Sequence, residues 1–362
     1  MIVEVPVRTF GALIAAVTLA AASLAAQSAK LPPGAMFGAE PSYKVPRTQD
    51  GHPDMQAVWS NNSVTPMTRP TQWKDKQVLT PAELEDLKGL IAKNADDGGD
   101  AIFQNQVQMA LDAKEKGKFE QVSYDKTTGN YNQFWMAGRE WDVRTSLIID
   151  PPTGQFPAMT PEAQKARAGR RGGLPPSGDG DDQLRPRPAG PEDLPLGERC
   201  VSFGAPRTGA GYNSYLQIIQ SPSAVVVLQE MAHDARIVPI ENRPHLPTTV
   251  RQWLGDSHGR WEGDTLVIET TNYRDGFMGS TRDVRVTERY TRVSADFLNW
   301  VITVDDPKTW TQPWSFMIRL KRSPDQIYEY ACHEGNYAMP GILGGARAQE
   351  AKEAAGKKSN QQ

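Results

Sequence analysis

The chain has 362 residues, with 40 Lys and Arg against 43 Asp and Glu, a formal net charge of −3 and a pI near 6.0. That balance excludes a strongly basic nucleic-acid face and an acidic tail built for a polycation, so no nucleic-acid partner is expected. Nine Trp and ten Tyr supply aromatic contacts for a core or a cleft.

Residues 1–26 carry an export pattern. Arg8 precedes an apolar run from Phe10 to Ala26, and small residues cluster at Ser23, Ala25 and Ala26. A basic start, an apolar middle and a small-residue exit predict a secretory signal peptide cleaved near Ala25–Ala26. The rival is a membrane anchor. The apolar run is short for a bilayer, which needs roughly 20 apolar residues. No basic stop-transfer flank follows, and no stable membrane insertion is expected after cleavage. About 335 residues remain, enough for one large or two ordinary domains.

Residues 27–169 read as an extended arm followed by helices and strands that pack on a main body. Asp50-Gly51-His52-Pro53-Asp54 is turn chemistry, and Met55–Trp59 is a short strand packing on that body. Thr80-Pro81-Ala82-Glu83 places an N-cap, a first-turn proline and a capping-box glutamate, predicting a helix to about Lys93. A second helix spans about 101–116, with Phe103, Val107, Ala110 and Leu111 as its buried stripe and Lys114 back at solvent. Strands follow at Tyr131–Met136 and Thr145–Ile149, then a turn at residues 150–155 and a short helix starting at Thr160-Pro161. Residues 170–196 are Gly, Pro, Asp and Arg with few apolar side chains, the composition of a flexible linker or long surface loop.

Residues 197–345 form the main body. Strands are predicted at 215–220, 224–230, 235–240, 265–271, 283–293, 296–304, 314–321 and 326–332, with spacings that suit hairpins rather than helical crossovers. Leu298, Trp300, Ile302 and Val304 share one face, as do Trp314, Phe316, Ile318 and Leu320. One-sided strands need a cover. The fold class is therefore mainly β: an antiparallel meander closing as a barrel or sandwich, with a few N-terminal helices. Residues 346–362 are a charged tail that frays or forms an isolated helix.

Two cysteines, Cys200 and Cys332, lie in the exported part of the chain. An even number in an oxidising compartment points to one disulfide; the alternative is a pair of buried thiols. Without paired Cys-x-x-Cys spacing, a cysteine metal site is not assigned. There are five histidines, and none lies in a metalloprotease motif; phosphate loops and serine-hydrolase elbows are missing too.

The densest polar stretch among the strands is Glu230-Met231-Ala232-His233-Asp234-Ala235-Arg236. Glu230 alternates with Val226 and Leu228, so an inward face would desolvate its carboxyl and raise its pKa toward the range useful for proton transfer. Glu230, His233, Asp234 and His333 are the candidate catalytic residues; the bland alternative is a structural ion-pair network. Glu288 alternates with Val284, Val286 and Tyr290 and needs a cationic partner, which Arg236, Arg251 or Arg319 can supply. Structural pairing competes there with a ligand role. Glu288, Trp253, Arg236 and His245 are the candidate ligand-binding residues. Residues 256–264 read as a hairpin that seats Trp261, with His258 in its turn. The histidines are scattered, so no metal site and no cofactor is assigned.

Several blocks are distinctive: DGHPDMQAVW from Asp50, EMAHDARIVPIENRPH from Glu230, WLGDSHGRWEGDTLVIETTN from Trp253, the stretch Val286–Trp314, and YEYACHEGNY from Tyr328. Together they resemble an uncharacterised family of exported bacterial proteins. Ala57 stands where those relatives usually carry glycine before the valine. The resemblance implies export, to the periplasm or medium, but no activity. The meander is also similar to lipocalin-type barrels, at the level of fold only.

Three functions are open at this point, all with a small-molecule partner. One is a cofactor-independent lyase, hydratase or isomerase using acid–base residues in an apolar cleft. Another is a non-catalytic binding protein for an apolar or aromatic molecule. The third is a metal-dependent hydrolase. The composition of residues 170–196 predicts that limited proteolysis of the folded protein cuts there first; earlier cleavage within the strands would count against the linker assignment.

Overall fold

The structure is a computed structural model, which describes residues 42–96, 106–117, 139–169 and 188–359. The expected signal peptide, the strand 131–136, the start of the second helix with Phe103, and residues 170–187 of the expected linker lie outside the described residues.

Ten strands form one antiparallel sheet: β1 (Ala57–Ser60), β2 (Ile148–Asp150), β3 (Tyr215–Gln220), β4 (Ala224–Gln229), β5 (Ala235–Pro239), β6 (Asp256–Glu262), β7 (Thr265–Thr271), β8 (Arg285–Arg292), β9 (Phe297–Asp305) and β10 (Trp314–Ser323). The order is β5-β4-β3-β1-β10-β9-β8-β7-β6, with β2 also paired to β10. Two meanders, β3–β5 and β6–β10, are thus joined through β1. The short strand expected near Met55 packs on the body from the middle of the sheet, between β3 and β10; its Trp59 is fully buried, with the indole N–H donating to the Met55 carbonyl at 2.9 Å.

The ladder stays open, but its edges meet at a single parallel bridge between Ile240 and Gly259. The approach is close: a β-carbon at 259 would sit 2.7 Å from Ile240 Cδ1, so a larger residue there would shift that side chain. Alternation places the two four-residue stripes as expected. Leu298, Trp300, Ile302 and Val304 of β9 stand opposite Leu320, Ile318, Phe316 and Trp314 of β10, and all eight are buried. Trp59, Tyr273 and Tyr290 fill the same interior.

The expectations differ from the structure at four places. Residues 326–332 are irregular rather than a strand, since both sides of β10 are already paired, to β9 on one side and to β1 and β2 on the other. The stretch 256–262 is strand β6 and only Gly263-Asp264 turns, so His258 is a buried strand residue. In β4 the buried face is Val225, Val227 and Gln229; Val226 and Leu228 are half-buried. Finally, the tail is a helix over Ala338–Ser359, beginning before the charged segment.

Four helices accompany the sheet: α1 (Pro81–Asp96), α2 (Gln106–Lys116), α3 (Pro161–Gly169) and α4 (Ala338–Ser359). The capping box of α1 closes in both directions, with Glu83 N–H donating to Thr80 Oγ1 and Thr80 N–H to Glu83 Oε2. Leu79, Leu87, Val107 and Leu111 make a small second core, and Lys114 is exposed. Among the described residues no helix is long and apolar enough to cross a membrane.

Cys200 and Cys332 form a disulfide, with Cα atoms 5.5 Å apart across 132 positions of sequence. Closing a loop of that length stabilises by about 5 kcal/mol in the chain-entropy account.

Inside the sheet, Arg236 of β5 meets Glu288 of β8 through two hydrogen bonds, of 2.5 and 2.9 Å. Tyr290 Oη and Trp300 Nε1 also donate to Glu288, at 2.8 and 3.1 Å. Glu288 is 0% and Arg236 4% exposed. Removing one partner strands the other charge in the core. Glu288→Ala should therefore lose about 3–5 kcal/mol in urea unfolding; a loss below about 1 kcal/mol would show that the site collapses or hydrates.

Candidate functional site

The candidate acid–base residues lie at one corner of the sheet, built from residues 200–215, the end of β4, and residues 328–337. The chain leaves β4 after Gln229 and turns, with Glu230 in the helical region and Ala232 and His233 both left-handed at φ 59° and 53°. Cys200 and Asn213 at the same corner are left-handed too, at 54° and 42°. Non-glycine residues in that region cost about 1–2 kcal/mol each, and such strain gathers where the surroundings impose a conformation.

Glu230 is 8% exposed, and this burial comes from the turn rather than from the strand alternation read in the sequence. Its Oε2 accepts from Tyr215 N–H at 3.3 Å. Burial pushes the carboxyl above the ordinary glutamate range, and the hydrogen bonds from Tyr215 and Asn213, with the charges of Arg207 and His233, only partly oppose it. Beside it is a shallow recess lined by Arg207, Asn213, Ser214, Tyr215 and Gln229, with room for about one water.

Asp234 is a brace. Its Oδ2 accepts from Ser202 Oγ at 2.8 Å and Phe203 N–H at 3.2 Å, tying the start of β5 to the segment that carries Cys200. Burial raises its carboxyl as well. His233 is exposed, and its Nδ1 accepts the Tyr330 N–H at 3.1 Å. In the neutral ring the proton therefore sits on Nε2. His333 follows Tyr330 by three residues, at most about 11 Å of chain. It is exposed, on a one-turn helix that starts after Cys332. Asn336 Nδ2 donates to the Glu198 carbonyl at 2.8 Å and pins that turn.

No family model matches the chain, and neither a curated relative nor a solved structure matches it.

The candidate ligand-binding residues are dispersed. Glu288 and Arg236 are occupied with each other in the core. Trp253 is half-exposed under the Arg274 guanidinium, 4.3 Å from its ring centroid. His245 lies on the segment after β5, stacked on His258 at 4.4 Å and bonded to Asp256 and Glu269. Sequence reading placed His258 in a turn and passed over Asp256 and Glu269. The usable signal was alternation: Asp256 and His258 sit at i and i+2 on one strand, opposite Thr271 and Glu269 of β7.

Glu230 gives a stability test with a definite sign. A carboxyl raised by folding is penalised once the unfolded chain ionises. The penalty is absent below the ordinary value of 4.5 and grows as pH rises through the higher folded value. Glu230→Gln should thus match wild type in acid and unfold at higher denaturant at neutral pH. A variant less stable at neutral pH would show that the carboxylate is a net support.

Proposed function

We propose that this chain is an exported protein that handles a small molecule at the disulfide-pinned corner, with Glu230 as proton acceptor and His233 as donor, as a cofactor-independent lyase, hydratase or isomerase. The observation that carries this reading is the buried Glu230 carboxyl, raised by desolvation beside a recess lined by Arg207, Asn213 and Tyr215. A base of that kind takes a proton most effectively when its pKa approaches the working pH. His233 directs Nε2 to the exposed side; as the imidazolium, with Nδ1 released from the Tyr330 N–H, it can give up one proton to a substrate resting over the recess and return to the neutral ring. Export is supported by the leader pattern of residues 1–26 and by the disulfide, a bond that persists in oxidising compartments. The resemblance to exported bacterial proteins belongs to the same proposal.

A second reading, binding without turnover, is favoured by the aromatic rim. Phe203, Tyr328 and Tyr337 are exposed around the corner, the last at 82%, and offer faces to a flat apolar molecule.

One experiment separates the two. Oxidised protein is incubated with a metabolite extract in deuterated buffer, and captured molecules are read by mass spectrometry. The catalytic reading expects a captured molecule that gains deuterium with wild type, and that still binds but gains at least tenfold less with Glu230→Gln. Capture without exchange supports the binding reading. Deuterium gain undiminished in both Glu230→Gln and His233→Ala overturns the corner as the site.

A further inference from the structure

Away from that corner, where the segment after β5 crosses β6 and β7, two imidazoles and a carboxylate converge. One donor atom from each of His245, Asp256 and His258 lies within 4.8 Å of the others. We propose that these three residues bind one divalent transition-metal ion, with Zn2+ the best match. Asp256 and His258 are two residues apart on β6, and the fold brings His245 to them from the segment after β5.

The direction of each ring nitrogen carries the argument. His258 Nδ1 lies 3.2 Å from the Arg243 carbonyl, an acceptor, so that nitrogen bears a proton. Its Nε2 is then a lone pair. That atom is buried, 3.3 Å from Asp256 Oδ1, and makes no hydrogen bond among the described residues. Two acceptors face each other there, an arrangement that favours a cation between them. His245 repeats the pattern. Its Nε2 is 3.1 Å from Glu269 Oε1, and its Nδ1 is 2.9 Å from Asp256 Oδ2. With the proton on Nε2, held by Glu269, Nδ1 is a second lone pair directed at the same carboxylate.

Each histidine thus has the outer partner that metal-bound imidazoles use: a carboxylate for His245 and a main-chain carbonyl for His258. Asp256 is oriented in turn by the Leu246 N–H at 2.8 Å. Asn272 Nδ2 donates to the Leu246 carbonyl at 2.7 Å and so fixes the segment that carries His245. Zinc bonds of about 2.0–2.2 Å put neighbouring tetrahedral ligand atoms about 3.3 Å apart. The distances of 2.9 and 3.3 Å to the two Asp256 oxygens lie close to that edge. Two imidazoles and one carboxylate suit Zn2+, and three protein ligands leave a fourth position. The His245 side chain is 20% exposed, which gives that position a route to solvent.

The competing account needs no metal: a doubly protonated His245 held between Asp256 and Glu269 as an ion-pair network. The test titrates chelator-stripped, disulfide-intact protein with Zn2+ by calorimetry, and with Co2+ by visible absorption. It also records the imidazole nitrogens of wild type by 15N NMR. The expected result is one ion per chain, with the His245 Nδ1 and His258 Nε2 resonances shifting on Zn2+. Affinity should fall at least tenfold in His245→Gln, His258→Gln and Asp256→Asn, and stay unchanged in Glu262→Gln. The wild-type NMR arm holds even if a variant fails to fold. Three results would overturn the site: no stoichiometric binding by wild type, unmoved His245 and His258 resonances, or binding abolished by His233→Ala or His333→Ala instead.

Discussion

The Arg236–Glu288 ion pair is the constraint around which the sheet is arranged. It joins β5, one edge of the ladder, to β8, two strands in from the other edge. A buried charge pair adds little net stability compared with apolar side chains of the same volume, but either charge alone is severely unfavourable. Arg236 reaches Glu288 only when β5 lies over the β6–β8 end, so the pair admits one closure of the sheet and opposes others. Burial alone would lower the pKa of Arg236, and the adjoining Glu288 carboxylate more than reverses this, so the guanidinium stays charged. Tyr290 and Trp300 complete the carboxylate's hydrogen bonds, and their rings stack at 5.3 Å within the same interior.

That interior is filled with side chains, and this moves function outward. Trp59, Trp300, Trp314, Tyr273 and Tyr290 occupy the space that a lipocalin-type barrel leaves for a ligand. The candidate sites lie at the borders of the sheet, where strands end and irregular segments cross. At the disulfide corner, Asp234, Asn336 and the Cys200–Cys332 bond hold together segments far apart in sequence. At the other border, residues 243–246 lie across β6 and β7. Glu230 is a desolvated acid with a recess beside it, whereas Asp256 is surrounded by nitrogens and held below the ordinary aspartate range. There burial, which would raise it, is opposed by the Leu246 N–H at 2.8 Å.

Local chemistry made much of the fold legible. The capping box at Thr80, the stripe from Val107 to Leu111 and the paired faces of β9 and β10 depend on neighbours at spacings of two to four residues, so the pattern and the structure agree. Glu288 was legible for the same reason: alternation along β8 put a charge on a buried face and demanded a cation. Alternation misled at Glu230, because β4 ends one residue earlier and the chain turns, burying the side chain by a route that strand periodicity does not encode. Residues 326–332 misled for a different reason. They alternate like a strand, but no edge of β10 is free to receive them.

The sequence by itself determined the β-rich class, the capped helix at Thr80, the apolar faces of β9 and β10, and that its two cysteines can form one bridge. These follow from side-chain periodicity and from counting. Tertiary structure alone decided that β1 lies between the two meanders, that Arg236 rather than Arg251 or Arg319 answers Glu288, and that His245 comes to rest on Asp256 and His258. Those outcomes depend on which strands pair and how the sheet curls. Backbone hydrogen bonds are the same for every pairing, so they cannot discriminate between partners; the packing of the interior and its buried Arg236–Glu288 pair select among them.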